Sequence, residues 1–156
     1  MKPLNPLNEF LEQLGYVSVP LRRTPVGHLE LDATVNGKPA RLLVDTGASA
    51  TVINRTSAER WGLECRDNPG TAIGCGFAAP TETARLEELK LADLEIVDVD
   101  VAVVDLSQIN AGLEQAKAQP IDGIIGSKLM IERNGIVEYA TDTLHLRRDV
   151  VAVAST

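Results

Sequence analysis

The chain has 156 residues, 44% hydrophobic and 24% charged, an ordinary globular composition long enough to bury a core without disulfide or metal staples. Fifteen Lys and Arg against 22 Asp and Glu leave a net charge of −7 and a pI near 4.8, which excludes the basic face that a duplex nucleic-acid binder or a polybasic membrane-surface module needs. No apolar run approaches the roughly 20 residues that span a bilayer, two cysteines make neither a disulfide framework nor a zinc site, and 3% aromatic residues leave little for base stacking.

The first sixteen residues hold Asn5, Asn8, Glu9 and Glu12 where a signal peptide needs an apolar block. The expected location is therefore cytoplasmic by default, or periplasmic if a leader has been removed. Asn8 reads as an N-cap and Gly15 as a C′ residue around a short helix at 9–14. Residues 16–21 alternate and read as a strand, with Pro20 near an edge. The strongest local signal follows: Leu29, Leu31, Ala33 and Val35 alternate with polar residues at period two. Asn36-Gly37 is the preferred pair for a type I′ hairpin turn. Residues 40–44 return as the partner strand and run directly into Asp45.

Residues 51–53 predict a short strand. Asn54 or Thr56 then caps a helical turn that ends at Trp61 and Gly62. Gly70, Gly74 and Gly76 crowd around Ile73, Cys75 and Phe77, which predicts a mobile glycine-hinged hairpin. Residues 85–91 and 94–104 read as strands, the second with Val97, Val99, Val101 and Val103 on one face and Asp98 and Asp100 on the other. A helix is expected at 111–119, ended by Pro120. A helical turn at 127–131 and strands at 136–139 and 144–147 complete the reading. The expected class is mostly β with short helices.

The informative segment is Val44-Asp45-Thr46-Gly47-Ala48-Ser49. An apolar strand delivers one carboxylate, and the chain turns sharply at a glycine. Alone, the Asp-Thr-Gly triplet reads as a turn. Its context adds specificity: a hairpin precedes it, a small-residue run and a strand follow, and some 80 residues later comes Asp122-Gly123-Ile124-Ile125-Gly126.

In these segments and in the glycine-rich stretch at 73–77, the sequence resembles the retropepsin-like aspartic proteases, in particular small bacterial single-domain members. The resemblance covers roughly residues 27–147. It implies a retropepsin-like half-barrel that is active as a two-fold homodimer, hydrolysing polypeptides with no metal and no cofactor. It divides the chain into an N-terminal helix and strand at 1–26 that offers a dimer contact, a protease domain at 27–148 and a C-terminal tail or strand at 149–156. Apolar residues 16–21 and 150–154 are the candidate dimer strands.

By the same resemblance Asp45 is the catalytic carboxylate, facing its own copy across the axis. Two carboxylates in contact cannot both ionise and share one proton, a behaviour for which aspartic proteases are the standard example. Thr46, Gly47 and Ala48 support the active-site loop. Ser49, Ile73, Gly74, Cys75, Gly76 and Phe77 line the substrate, the last five on a flap. Ile124, Ile125 and Gly126 pack behind the loop. Ala48 stands where the digestive two-domain relatives carry a hydroxyl, so the expected optimum is mildly acidic. The alternative is a catalytically silent dimeric module of the same fold that binds peptide or directs assembly.

Other residues read as structural. His28 and His145 lie on strand patterns away from any Ser or Cys nucleophile motif, and Asp98 and Asp100 read as a solvated acidic face rather than a Ca²⁺ site. Cys65 and Cys75 read as idle thiols rather than a disulfide. An aspartyl-phosphate role for Asp45 is disfavoured, because Thr46 and Gly47 occupy the positions where that chemistry brings a Lys or a second Asp. No phosphate-binding GxxxxGK occurs.

Overall fold

A computed structural model describes residues 5–74 and 77–150, with the backbone alone for residues 68–81. Helix α1 (Pro6–Gln13) opens one turn earlier than the sequence suggests. Pro6 suits the first helical position, and the Asn5 side chain, not Asn8, is the cap, accepting from the Asn8 N–H at 3.3 Å. Gly15 takes φ +87° just past the end, as expected.

Strands β1 (Tyr16–Pro20) and β2 (Arg22–Arg23) lead into the hairpin of β3 (Leu29–Val35) and β4 (Lys38–Val44). Asn36 and Gly37 both have positive φ, 50° and 80°, the type I′ geometry their identities favour. Strand β5 (Val52–Asn54) and helix α2 (Arg55–Arg60) follow. Asn54 is the N-cap residue of α2, but its side chain makes no cap bond; it donates to Thr56 Oγ1 and accepts from the Leu106 N–H, both at 3.0 Å. Next come β6 (Arg66–Gly74), β7 (Phe77–Leu91), β8 (Leu94–Val104), α3 (Ser107–Gln115), β9 (Gly123–Ile125), α4 (Ser127–Glu132), β10 (Ile136–Glu138) and β11 (Thr143–Arg147).

Eight strands form one sheet in the order β2-β3-β4-β9-β5-β8-β7-β6. A further pairing of β3 with β7 (Thr34↔Lys90, Val35↔Leu89) closes six of them into a ring. Strands β1, β11 and β10 make a separate antiparallel sheet. Two of the ring's pairings, β4–β9 and β5–β8, are parallel, and these strands are covered on both faces. Leu42, Ile53 and Ile125 enter the main core with Leu86, Leu144 and Leu146. Their neighbours Leu43, Val52 and Ile124 enter a second core with Leu106 and Leu113 at α3. This is why the sequence there is continuously apolar rather than alternating.

The sequence expectations fail in three further places. Helix α3 begins and ends four residues early, because Lys117 turns at φ +61° well before Pro120. Glu30, on the polar phase of β3, is 2% exposed; its Oε1 accepts from Arg41 Nη1 at 2.6 Å and Arg22 Nη2 at 3.3 Å. Val97 does not share a buried face with Val99, Val101 and Val103, and is 65% exposed. Pairing of β7 with β8 lapses at Glu87 and Asp98, where Asp98 takes φ +54°. The buried positions change phase there in both strands, from Leu86 to Leu89 and from Val101 to Ile96. The hairpin thus turns its apolar side over between its two halves while the register of pairing stays the same, one residue of each strand being skipped.

Candidate active site

Asp45 follows the last residue of β4, and its position is set by backbone bonds to the crossing strand β9. Its N–H donates to the Ile125 carbonyl at 3.1 Å. The Ser127 and Lys128 N–H groups donate to the Ala48 and Ser49 carbonyls at 2.7 and 3.0 Å. The Gly126 N–H donates to the Thr51 hydroxyl at 3.3 Å. The loop of Asp45 to Ser49 is therefore held from behind at its first residue and at its last two.

That grip depends on two glycines. A Cβ on Gly126 would stand 2.2 Å from the Ala50 carbonyl oxygen, and one on Gly123 would stand 2.3 Å from that of Val52. Neither approach is possible for a side-chain-bearing residue, so β9 passes between β4 and β5 only because both ends are Gly. Asp122 adds a side-chain clasp. Its carboxylate accepts from the Arg41 N–H at 2.9 Å, from Ser57 Oγ at 2.7 Å and from Arg60 Nη2 at 2.8 Å.

Within the loop, the Gly47 N–H donates to Asp45 Oδ1 at 2.8 Å, and the Ala48 N–H donates to the Asp45 carbonyl at 3.2 Å. Gly47 brings its N–H close to the carboxylate without crowding it, whereas a Cβ there would lie 3.2 Å from Oδ1. Asp45 is half-buried, Thr46, Gly47 and Ser49 are exposed, and Ala48 is buried in the second core. The carboxylate stands in the wall of a cleft of about 430 Å³, together with His28, Leu29, Thr46, Val137 and Tyr139.

The structure brings together Asp45, Thr46, Gly47, Ala48, Ser49, Ile124, Ile125 and Gly126. Ile73, Gly74 and Phe77 lie in the β6–β7 hairpin, with Gly74 paired to Phe77; Cys75 and Gly76 fall outside the described residues, as do 151–154 of the expected C-terminal strand. Cys65 is a free, half-buried thiol that donates to the Leu63 carbonyl at 3.7 Å. His145 is fully buried between Ser18 Oγ and Glu138 Oε1, each 3.1 Å from a ring nitrogen, and His28 lies in the cleft wall. Among the described residues no cluster of His, Cys, Asp and Glu is placed to hold a metal. Among the same residues, no helix is long and apolar enough to cross a membrane.

Sequence reasoning missed Thr51, Val137 and Tyr139. Thr51 carries no motif of its own, and Tyr139 reaches the cleft only through the folding of a distant hairpin.

A family model described as "Aspartyl protease" matches residues 31–129, from the middle of β3 into α4. The chain belongs to the aspartyl protease family. The match runs from before the Asp45 loop through β9 and Gly126, the two segments that the backbone bonds join. Among solved structures, a retropepsin-like aspartic protease from Rickettsia conorii is 18% identical, with a TM-score of 0.58 over 85% of this chain and 89% of that one. The retroviral protease-like domain of Ddi1 from Leishmania major is 21% identical, with a TM-score of 0.51 over 81% and 90%. At these identities the likeness is one of fold, and it makes the fold retropepsin-like. No curated protein matches the chain.

Proposed function

We propose that this aspartyl protease-family chain is half of an aspartic endopeptidase, completed when a second copy brings the partner's Asp45 opposite its own. The observation that carries the reading is the presentation of Asp45. A half-buried carboxylate is fixed at a cleft by backbone bonds, with Gly47 donating to one oxygen. One carboxylate of the pair, ionised, takes a proton from a bound water, which attacks the peptide carbonyl. The other, protonated, donates to that carbonyl oxygen, and the proton gained from water passes to the leaving amine. The chemistry asks for no metal and no cofactor.

An isologous pairing places identical loops face to face. Exposed Thr46 is the residue of each loop positioned to bond the other loop's backbone, and exposed Gly47 and Ser49 meet the substrate. Ile73, Gly74, Cys75, Gly76 and Phe77 act as the flap that covers it and excludes water. Ile124, Ile125 and Gly126 support the loop. The catalytic body spans residues 27–148, with 1–26 and 149–156 available for dimer contacts.

The test is Asp45→Asn against wild type on casein-type peptides between about pH 3 and 7, with the mass in solution followed against concentration. Cleavage by wild type at mildly acidic pH, at least about a thousandfold slower in the Asp45→Asn variant, together with a concentration-dependent dimer, supports the proposal. A folded dimer that cuts nothing in this range makes the chain the silent peptide-binding module instead. Equal cleavage by both proteins removes Asp45 from the chemistry.

A further inference from the structure

We infer that Tyr139, held by Arg23, is the residue of the Asp45 cleft that selects the substrate side chain next to the cut bond, by stacking on its ring. The inference rests on the peptidase reading above and adds to it which residue selects the substrate.

Aromatic residues make up only 3% of this chain, yet one of them, Tyr139, stands in the cleft wall and is 64% exposed. The ring is nevertheless held. Tyr139 starts the turn between β10 and β11, which ends at Asp142 with φ +48°. The Asp142 carbonyl accepts from the Leu21 N–H at 2.8 Å, and its carboxylate accepts from Arg23 Nη2 at 2.5 Å. The Arg23 guanidinium then lies over the Tyr139 ring, 5.5 Å from its centre, a cation–π distance. An exposed ring with one face covered by a clamped guanidinium loses little freedom when a ligand meets it.

The rest of the cleft agrees with an apolar guest. Leu29, Leu43, Ile109 and Val137 supply its walls, and among the described residues Asp45 is the only acidic or permanently charged side chain lining it. A charged guest would find no matching set of charges there, whereas an aromatic one stacks on Tyr139 in the offset or edge-to-face arrangements that rings prefer.

The experiment takes a peptide that the wild type cuts and varies the residue on each side of the cut bond between Phe and Ala. The wild type is expected to favour Phe by about tenfold or more in kcat/KM. In Tyr139→Ala that ratio falls toward one, Tyr139→Phe retains it, and Arg23→Leu lowers it part-way with the ring still present. A Phe preference that survives Tyr139→Ala, an equal loss for both peptides, or a wild type without preference overturns the inference. Binding of labelled Phe and Ala peptides to the Asp45→Asn variant needs no hydrolysis and separates the two readings. If wild type cuts nothing but the Asp45→Asn variant binds the Phe peptide better in a Tyr139-dependent way, the pocket stands and the peptidase reading falls. If that variant binds neither peptide, the pocket falls.

Discussion

The two walls of the Asp45 cleft are built by different means. On one side the β4–β9–β5 crossing fixes the carboxylate through backbone groups and two glycines, with no room for a methyl. On the other, one backbone bond from the Leu21 N–H to the Asp142 carbonyl is joined mainly by side chains: Arg23 on Asp142 and Tyr139, and a chain from Ser18 through buried His145 to Glu138. A backbone-built wall is rigid because its bonds cannot rotate away, and it tolerates almost no substitution. A side-chain-built wall can change its lining and keep its strands, so it is the wall where selectivity can be altered without losing the fold.

The largest effect expected from that contrast comes from one added methyl. Gly126→Ala forces Cβ onto the Ala50 carbonyl and is expected to cost at least about 3 kcal/mol, or to prevent folding. Gly112→Ala, on α3 with nothing within 4 Å of its Cβ, is expected to gain roughly 0.5–1 kcal/mol. Urea unfolding of both variants measures the difference. If the Gly126→Ala protein is as stable as wild type, the crossing is not tightly packed.

A smaller effect is expected from Thr51→Val, which keeps the shape but removes the hydroxyl that accepts from the Gly126 N–H inside the protein. Leaving that donor unpaired costs about 1–3 kcal/mol. Thr51→Ser, which restores an oxygen, should recover most of the loss in thermal unfolding. If the two variants behave alike, the bond contributes nothing.

The smallest effect is a pH dependence on the side-chain wall. The Thr141 hydroxyl, and after it His145, holds the Glu138 carboxyl below the ordinary glutamate value of 4.5. A carboxyl lowered by folding stabilises the protein above 4.5 and loses that contribution as pH falls through its lower folded value. Glu138→Gln should therefore flatten the stability profile below about pH 4.5. Melting temperatures across the acidic range for both proteins check this; parallel curves at the acid end would remove Glu138 from the acid response.

Local chemistry carried much of the fold. The Asn36-Gly37 turn, the alternation of β3 and the double burial of β4 and β9 all follow from side-chain size and φ preferences within a few residues, so each can be read from the order of residues. The same holds for the turn of the Asp45 loop, whereas the packing of Ile124, Ile125 and Gly126 behind it was implied by the family resemblance, and the close approach at Gly123 emerged only in the fold. Val97 went the other way: its period-two pattern is intact, yet the positive φ of Asp98 turns the strand over, and nothing local announces that. Helix α3 ends at Gln115, well before Pro120, for a similar reason, since the Ala118 N–H bonds back to Leu113 and Ala118 is buried in the second core.

The order of residues was enough to specify the carboxylate and its glycine turn, because these are short-range demands on backbone conformation; the strand that packs behind them, some 80 residues on, was implied by the family resemblance. The company that the carboxylate keeps emerged only on folding. Tyr139 and Arg23 lie 94 and 22 residues from Asp45, and Glu30 is buried by two arginines from separate strands. The first is set by how the two sheets close on each other and the second by the register of β2 and β4 on β3, and a residue's own neighbours in the chain exert no force that would reveal either.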